Sequence, residues 1–380
     1  MKIGIFTCNY KPLINGLSSS IEIFSREFKA QGHEVFIFAP QYPGHIEREE
    51  GVFRFPSLRA PTHHQYTLPL PFSPRVEAAL PKLRLDLLHA QHPFLLGNFA
   101  LRAARRLNLP LVFTHHTLYE EYAHYLPLAS GWVRRSAIRR STSFANWADL
   151  VIAPTRGLKE ILAQRGVRTR IEVVPTGVEM EEEGKRTFHP EDLNIPSSAK
   201  ILLSVGRLAK EKNLIFLLSA FSRLASEFPD CYLILLGDGD ERTRLEAWAK
   251  KLGLEAKVRF LGARPRTQLG GFYRGAHLLL FPSLSEAQGL VVAESMAQGL
   301  PVVALRSFAA EDLIEDGVNG YLAEGREMFL DRVRDLLWHE EKRKSFAEKA
   351  RETARKFSAS AMGAKMLHLY QELLEARKER

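Results

Sequence analysis

Residues Ser285 to Ala304 read SEAQGLVVAESMAQGLPVVA. Val291 to Gln298 has the composition of a helix. Gly299 suits the residue just past its end, and Pro301 stops any continuation. An apolar run, LLLF (Leu278 to Phe281), stands before the stretch, and a second, PVVAL (Pro301 to Leu305), closes it. Strand, glycine turn, helix, strand is a βαβ unit, and it commits its surroundings to a parallel sheet. The stretch also carries Glu286 and Glu294, one on each side of a Gly-Leu turn.

The same alternation extends in both directions. ILLSV (Ile201 to Val205), YLILL (Tyr232 to Leu236) and VRFL (Val258 to Leu261) are earlier strands of this series. Upstream, Val178 to Lys200 lacks apolar periodicity and carries acids, Pro and Ser, as a linker does. Before it lies another series: Lys2 to Thr7, Glu34 to Ala39, Asp86 to Ala90, Pro110 to Thr114, Leu150 to Ala153 and Ile171 to Val174, with helical patterns such as Ser19 to Gln31 and Phe99 to Leu107 between them. The expected fold is α/β, with two Rossmann-like domains facing each other across a cleft. The domains are residues 1–180 and 201–357, joined by a linker at 181–200. A terminal helix, 358–380, is expected to pack back on the first domain. Ligands of such sheets bind beyond the carboxyl ends of the strands.

The chain has 380 residues, 45% of them apolar, enough for two cores. No apolar run approaches the ~20 residues of a membrane span, and MKIGIF reads as a strand, not a signal peptide. Cys8 and Cys231 lie in separate apolar segments and read as reduced core thiols of a cytoplasmic protein. The net charge is +9, and it is uneven: Met1 to Met180 holds 22 Lys+Arg against 14 Asp+Glu, the remainder 31 against 30. A basic first half points to an anionic partner, nucleic acid or a membrane surface, or else to a solvated surface without one.

Five constellations sit at strand ends. Near Gly289-Leu290 the first amides of the helix have no intrahelical acceptor, so they and the helix dipole favour an anion there. Glu286 and Glu294 would repel phosphate and therefore suit neutral hydroxyls such as those of a ribose; a lone acid at such a place would merely balance the dipole. In VGRLAKEKN, Val205 to Asn213, Arg207 and Lys212 emerge at the same sheet edge and suit a diphosphate. His115 and His116 follow Pro110 to Thr114; adjacent side chains on extended backbone point apart, which favours a hydrogen-bonding His over a metal site. NGLSS, Asn15 to Ser19, occupies the place of a phosphate loop but lacks G-x-G-x-x-G, which argues against a nicotinamide enzyme. Asp238-Gly239-Asp240 reads as a polar turn, with too few oxygen ligands for a divalent cation.

In this order VGRLAKEKN, LLGDGDE, VRFLG and FPSLSEAQGLVVAESMAQGLPVVA, together with NGLSS and VVPTGV, resemble the retaining glycosyltransferases of family four, with the GT-B fold. The resemblance covers nearly the whole chain. It implies a nucleotide-diphosphate sugar donor, UDP-glucose, held by the second domain. Arg207 and Lys212 match the pair that binds diphosphate and stabilises the leaving group. Glu294 matches the ribose acid and Glu286 the acid on sugar hydroxyls. Gln288, Gly289 and Leu290 match the turn facing sugar and phosphates, and Gly16 the first-domain glycine near the phosphates. His116, or else His115, matches the family histidine near the donor sugar. Ala263 and Arg264 fall where the base is contacted. No cofactor and no metal are expected, because the cations and a helix end can neutralise the diphosphate.

LPLPFSPR, HAQHPFLLG, THHTLYEEYAHYLP and the SEAQGL form of the turn resemble the branch of bacterial diacylglycerol glucosyltransferases. That branch implies a lipid acceptor and a peripheral place at the inner face of the cell membrane. GWVRRSAIRRST, with Trp132, Arg134, Arg135, Arg139 and Arg140 and no acid, suits an interfacial segment on an anionic surface. Tyr119 and Glu120 belong to the expected acceptor side, and Glu120 or Glu121 could serve as a base. A soluble sugar or polysaccharide acceptor is the alternative. Nucleic acid is not an expected partner, since acids occupy the ligand position and no aromatic-basic platform is present.

Overall fold

The computed structural model describes residues 1–13, 15–59, 67–118, 131–180 and 188–379. The chain divides into two compact units, Met1–Gly177 with Ala359–Arg380, and Val178–Ser358.

In the first unit the elements run β1 (Lys2–Phe6), α1 (Gly16–Ala30), β2 (Glu34–Pro40), β3 (Val52–Phe55), β4 (Ser57–Arg59), β5 (Thr67–Pro69), α2 (Pro74–Leu83), β6 (Leu87–Ala90), α3 (Leu96–Leu107), β7 (Leu111–Thr114), α4 (Gly131–Ala145), β8 (Leu150–Ala153), α5 (Arg156–Gln164) and β9 (Ile171–Val173). Seven strands form one parallel sheet in the order β3-β2-β1-β6-β7-β8-β9. Every residue of β6, β7 and β8 is buried, as strands covered on both faces must be. The sequence pattern did not announce β3, β4 or β5. They are three or four residues long, and β4 and β5 pair only with each other, Leu58 opposite Leu68. Helix α1 begins at Gly16, ahead of the expected Ser19, because Asn15 caps it. The Asn15 side chain accepts from the Ser18 amide at 2.9 Å, and the Asn15 amide donates to the Ser18 hydroxyl at 2.9 Å.

The second unit follows as β10 (Lys200–Val205), α6 (Leu214–Glu227), β11 (Cys231–Leu236), α7 (Arg242–Lys251), β12 (Val258–Phe260), α8 (Arg266–Gly275), β13 (Leu278–Phe281), α9 (Leu290–Ala297), β14 (Val302–Leu305), α10 (Phe308–Glu311), β15 (Gly320–Ala323), α11 (Arg326–Trp338) and α12 (Glu340–Lys356). Its parallel sheet has the order β12-β11-β10-β13-β14-β15. Side-chain alternation splits the core between two faces. Leu202 packs with Phe221 and Phe329 on one, and Leu203 with Val292 and Met296 on the other. Residues 181–187 lie outside the described structure. From Phe188 onward the segment expected to be a linker is packed: Phe188 stacks on Phe272 at 4.8 Å, and Ile195 and Ala199 are buried.

The last helix, α13 (Ala359–Lys378), rejoins the first unit. Tyr370 meets Phe28 of α1 edge-on at 5.7 Å. Gly363 lets the helices approach, for a β-carbon there would stand 2.7 Å from that of Glu27.

Each sheet starts in its middle, builds to one side and then crosses to the other. The reversals fall between β1 and β6 and between β10 and β13. At such a reversal neighbouring loops leave the sheet in opposite directions and open a crevice at the carboxyl edge.

Candidate functional site

The crevice of the second unit brings together two of the predicted groups. Beyond β10 the chain turns at Gly206 (φ 145°) into Arg207 and then a short 3₁₀ turn, Lys210–Lys212. Beyond β13 it runs through Glu286 and Gln288, both half-buried, to Gly289, which caps α9 with φ 69°. A side chain at 289 would find ordinary packing distances, so the glycine is required by its left-handed backbone and not by crowding. Asn213 donates to the Pro282 carbonyl at 3.2 Å and Ser283 to the Glu211 carbonyl at 3.3 Å, which ties the two loops together.

Arg207, Lys212, Pro282 and Ser283 line a small pocket there. Each cation has a carboxylate partner. Arg207 pairs with Glu211, and Lys212 with Glu286. Burial, reinforced by the neighbouring Arg207 and opposed by Glu211, pulls the Lys212 ammonium down to about 8. The arrangement is a small cationic pocket whose charges are met by carboxylates, beside the positive end of α9. An incoming diphosphate can replace those carboxylates as the partner of Arg207 and Lys212.

The Asp238-Gly239-Asp240 turn supports this pocket from behind. A β-carbon at Gly237 would fall 1.8 Å from the Gly206 carbonyl oxygen, and one at Gly239 2.4 Å from that of Leu208. The Leu208 amide donates to the Asp238 carbonyl at 2.9 Å, so the glycines allow the β11 loop to brace the arginine loop.

Glu294 has different company. Its carboxylate is mostly buried, accepts from the Tyr273 hydroxyl at 3.0 Å and meets Arg266 at 3.1 Å. Burial raises its pKa; Arg266 and the Tyr273 hydrogen bond oppose that rise, and Glu179 adds to it. Glu179, Arg266, Tyr273, Glu294 and Gln298 line a second pocket. Ala263 and Arg264 are exposed beyond β12, just ahead of α8. Tyr273 and Arg266 were not legible as site residues; the one sequence hint was that Arg266 lies two positions after Arg264.

In the first unit His116 stands just past β7 and donates from Nε2 to the Gln91 side-chain oxygen at 2.6 Å, which leaves Nδ1 as an acceptor. His115 is buried to 1% exposure, whereas His116 keeps a partly open surface. His92 Nδ1 accepts from the Cys8 amide at 3.1 Å, and His89 bridges Tyr370 and Thr114 at 2.6 and 2.7 Å. Burial pulls His89 and His115 down to about 3 and His92 to about 4, and it holds His116 well below its ordinary value, so all four are neutral at pH 7. Gly16 opens α1, and among the described residues the space where its β-carbon would be is open. Trp132, Arg134, Arg135, Arg139 and Arg140 are all exposed on α4. Tyr119, Glu120 and Glu121 lie outside the described residues. Among the described residues no group of three or more His, Cys, Asp and Glu could hold a metal ion, and no helix is long and apolar enough to cross a membrane.

Two family signatures match the chain. The one described as "Glycosyltransferase Family 4" covers residues 14–182, and "Glycosyl transferases group 1" covers residues 185–353. The alpha-monoglucosyldiacylglycerol synthase of Streptococcus pneumoniae is 32% identical over 86% of this chain and 76% of its own. The enzyme of the same name from Acholeplasma laidlawii is 26% identical over 89% and 87%. Among solved structures, Anabaena HepE in complex with UDP and glucose superposes with a TM-score of 0.79 at 21% identity, covering 98% of this chain and all of that one.

Proposed function

Because the chain belongs to glycosyltransferase family 4 and is a retaining hexosyltransferase of the GT-B fold, we propose that it moves a glucosyl group from UDP-glucose to the hydroxyl of diacylglycerol at the cytoplasmic face of a membrane. The convergence of Arg207, Lys212, Glu286 and the α9 N-terminus at the β10/β13 reversal carries the donor half of this reading.

The pyrophosphate takes the place of Glu211 and Glu286 beside Arg207 and Lys212, with the α9 amides of the Gln288-Gly289-Leu290 turn facing it. Glu286, released from Lys212, accepts from the sugar hydroxyls, and Glu294 from the ribose. Ala263 and Arg264 border the base. By resemblance to the family, Gly16 and His116 of the first unit also belong to donor binding, and His116 keeps Nδ1 as an acceptor. As the glycosidic bond to the diphosphate breaks, negative charge grows on its leaving oxygen. Arg207 and Lys212 stabilise that charge without a metal ion. The same oxygen takes the proton of the acceptor hydroxyl, which attacks from the side the diphosphate leaves, so configuration is retained.

The acceptor half rests on the two glucosyldiacylglycerol synthases and on the basic first half of the chain. The exposed Trp132 and four arginines of α4 suit an anionic headgroup layer, as do Leu58, Leu68, Leu70 and Phe72, exposed on and just after the β4-β5 ribbon.

The test is product analysis by mass spectrometry with a panel of nucleotide sugars, offering diacylglycerol in anionic vesicles and a soluble sugar in parallel, with and without EDTA. The expected product is glucosyldiacylglycerol from UDP-glucose, unaffected by EDTA. Transfer only to the soluble sugar would replace the lipid reading. Abolition by EDTA would end the metal-independent one.

A further inference from the structure

Glu294 is held from two directions by α8, and neither contact belongs to the machinery assigned above. Tyr273 is buried in the core cluster that holds Ile201, Leu203 and Met296, and its hydroxyl stands 3.0 Å from one carboxylate oxygen. The Arg266 guanidinium meets the other oxygen at 3.1 Å. A carboxylate has about four lone-pair positions. With one on each oxygen engaged by α8, each oxygen of Glu294, which lines the second pocket, keeps one further acceptor position. That is the acceptor pattern for a vicinal diol, one hydroxyl to each oxygen.

We infer that Tyr273 and Arg266 are positioning residues that fix the plane of the Glu294 carboxylate, so that the site selects nucleotides carrying both the 2′- and the 3′-hydroxyl. The inference rests on the reading of Glu294 as the ribose acid. Without the tyrosine hydroxyl the carboxylate can rotate about its last torsion, which is broad and roughly two-fold, and it presents its oxygens unequally. Rejection of a deoxyribose then weakens, because rejection depends on a fixed acceptor left without a donor. The phenol stays a donor throughout the working range, since burial and the adjacent Glu294 hold its pKa well above the ordinary value.

The experiment is calorimetric binding of UDP against 2′-deoxy-UDP, and of GDP against 2′-deoxy-GDP, to the full-length protein. The variants are Tyr273→Phe, Arg266→Gln and Glu294→Gln, with thermal melting of each and donor KM and kcat alongside. Wild type should prefer the ribonucleotide by about tenfold or more, the size of one hydrogen bond to a charged group. Tyr273→Phe should lose roughly tenfold in ribonucleotide affinity and raise donor KM with kcat nearly unchanged, while its ribo/deoxy ratio falls toward one. Arg266→Gln reads the same ratio should the phenylalanine variant melt early. If both α8 variants keep the wild-type ratio while Glu294→Gln loses it, the positioning inference is overturned and the ribose reading stands. If Glu294→Gln keeps the wild-type ratio, or wild type has no preference with either base, the ribose reading itself falls and takes this inference with it.

Discussion

Lys212 holds the most telling titration of the proposed donor pocket. Its ammonium is drawn down to about 8, chiefly by burial, so the free protein carries the charge below that pH and loses it above. Donor kcat/KM is therefore expected to be flat below pH 8 and to fall as pH rises through it. Lys212→Arg should abolish that limb, which a pH profile of initial rates checks. Lys212→Ala should lower kcat/KM roughly 100- to 1,000-fold, the range for losing one charge-stabilising group, with an unchanged melting temperature. His116 should contribute no limb near neutrality, because burial holds its pKa well below the ordinary value. Types such as Arg207, Lys212, Glu286 and Glu294 were legible from position alone: ionic groups just past an apolar strand end are poor core material. Their partners were not, since Tyr273 reads as one more aromatic on an amphipathic helix.

At the scale of elements, α9 and α4 make opposite demands on the chain. Helix α9 needs a left-handed cap, and Gly289 supplies it at φ 69°. Gly289→Ala should cost about 1–2 kcal/mol, seen as a drop of a few degrees in melting temperature, and it should raise donor KM by moving the helix start. In α4 only Ser141, Phe144 and Ala145 are buried, all in its C-terminal half. Replacing Arg134, Arg135, Arg139 and Arg140 with serine should weaken sedimentation with phosphatidylglycerol vesicles by about fivefold per arginine at low salt, leaving UDP affinity and stability as they were. Retained vesicle binding would move the membrane contact elsewhere, with the exposed Leu68, Leu70 and Phe72 the next surface to test. The strands read from apolar runs were legible: β1, β2 and β6 to β14. Strands β3 to β5 bury too few residues to leave a period, and β15, though wholly buried, is only the four residues GYLA and opens on a glycine.

Across the whole molecule, α13 returns to the unit that begins the chain, and Gly363 against Glu27 sets how closely it docks. Gly363→Val should cost about 1–3 kcal/mol by overpacking. The melting temperature should fall while the folded protein still binds UDP. Loss of UDP binding at temperatures where the variant remains folded would mean that α13 does more than brace α1.

Local regularity determined what the sequence could settle alone. Alternating apolar runs and helices, repeated twice, required two parallel sheets, and charged residues at strand ends marked the crevice side of each. Tertiary structure alone decided which side chains meet. Lys212 pairs with Glu286 across the β10/β13 reversal, Tyr273 and Arg266 of α8 hold Glu294 of α9, and Tyr370 from the last helix reaches His89 near the first strand. A period is written in neighbouring residues, whereas these contacts join positions whose separation along the chain follows no repeat. Only the packing of the sheets and helices sets their distances.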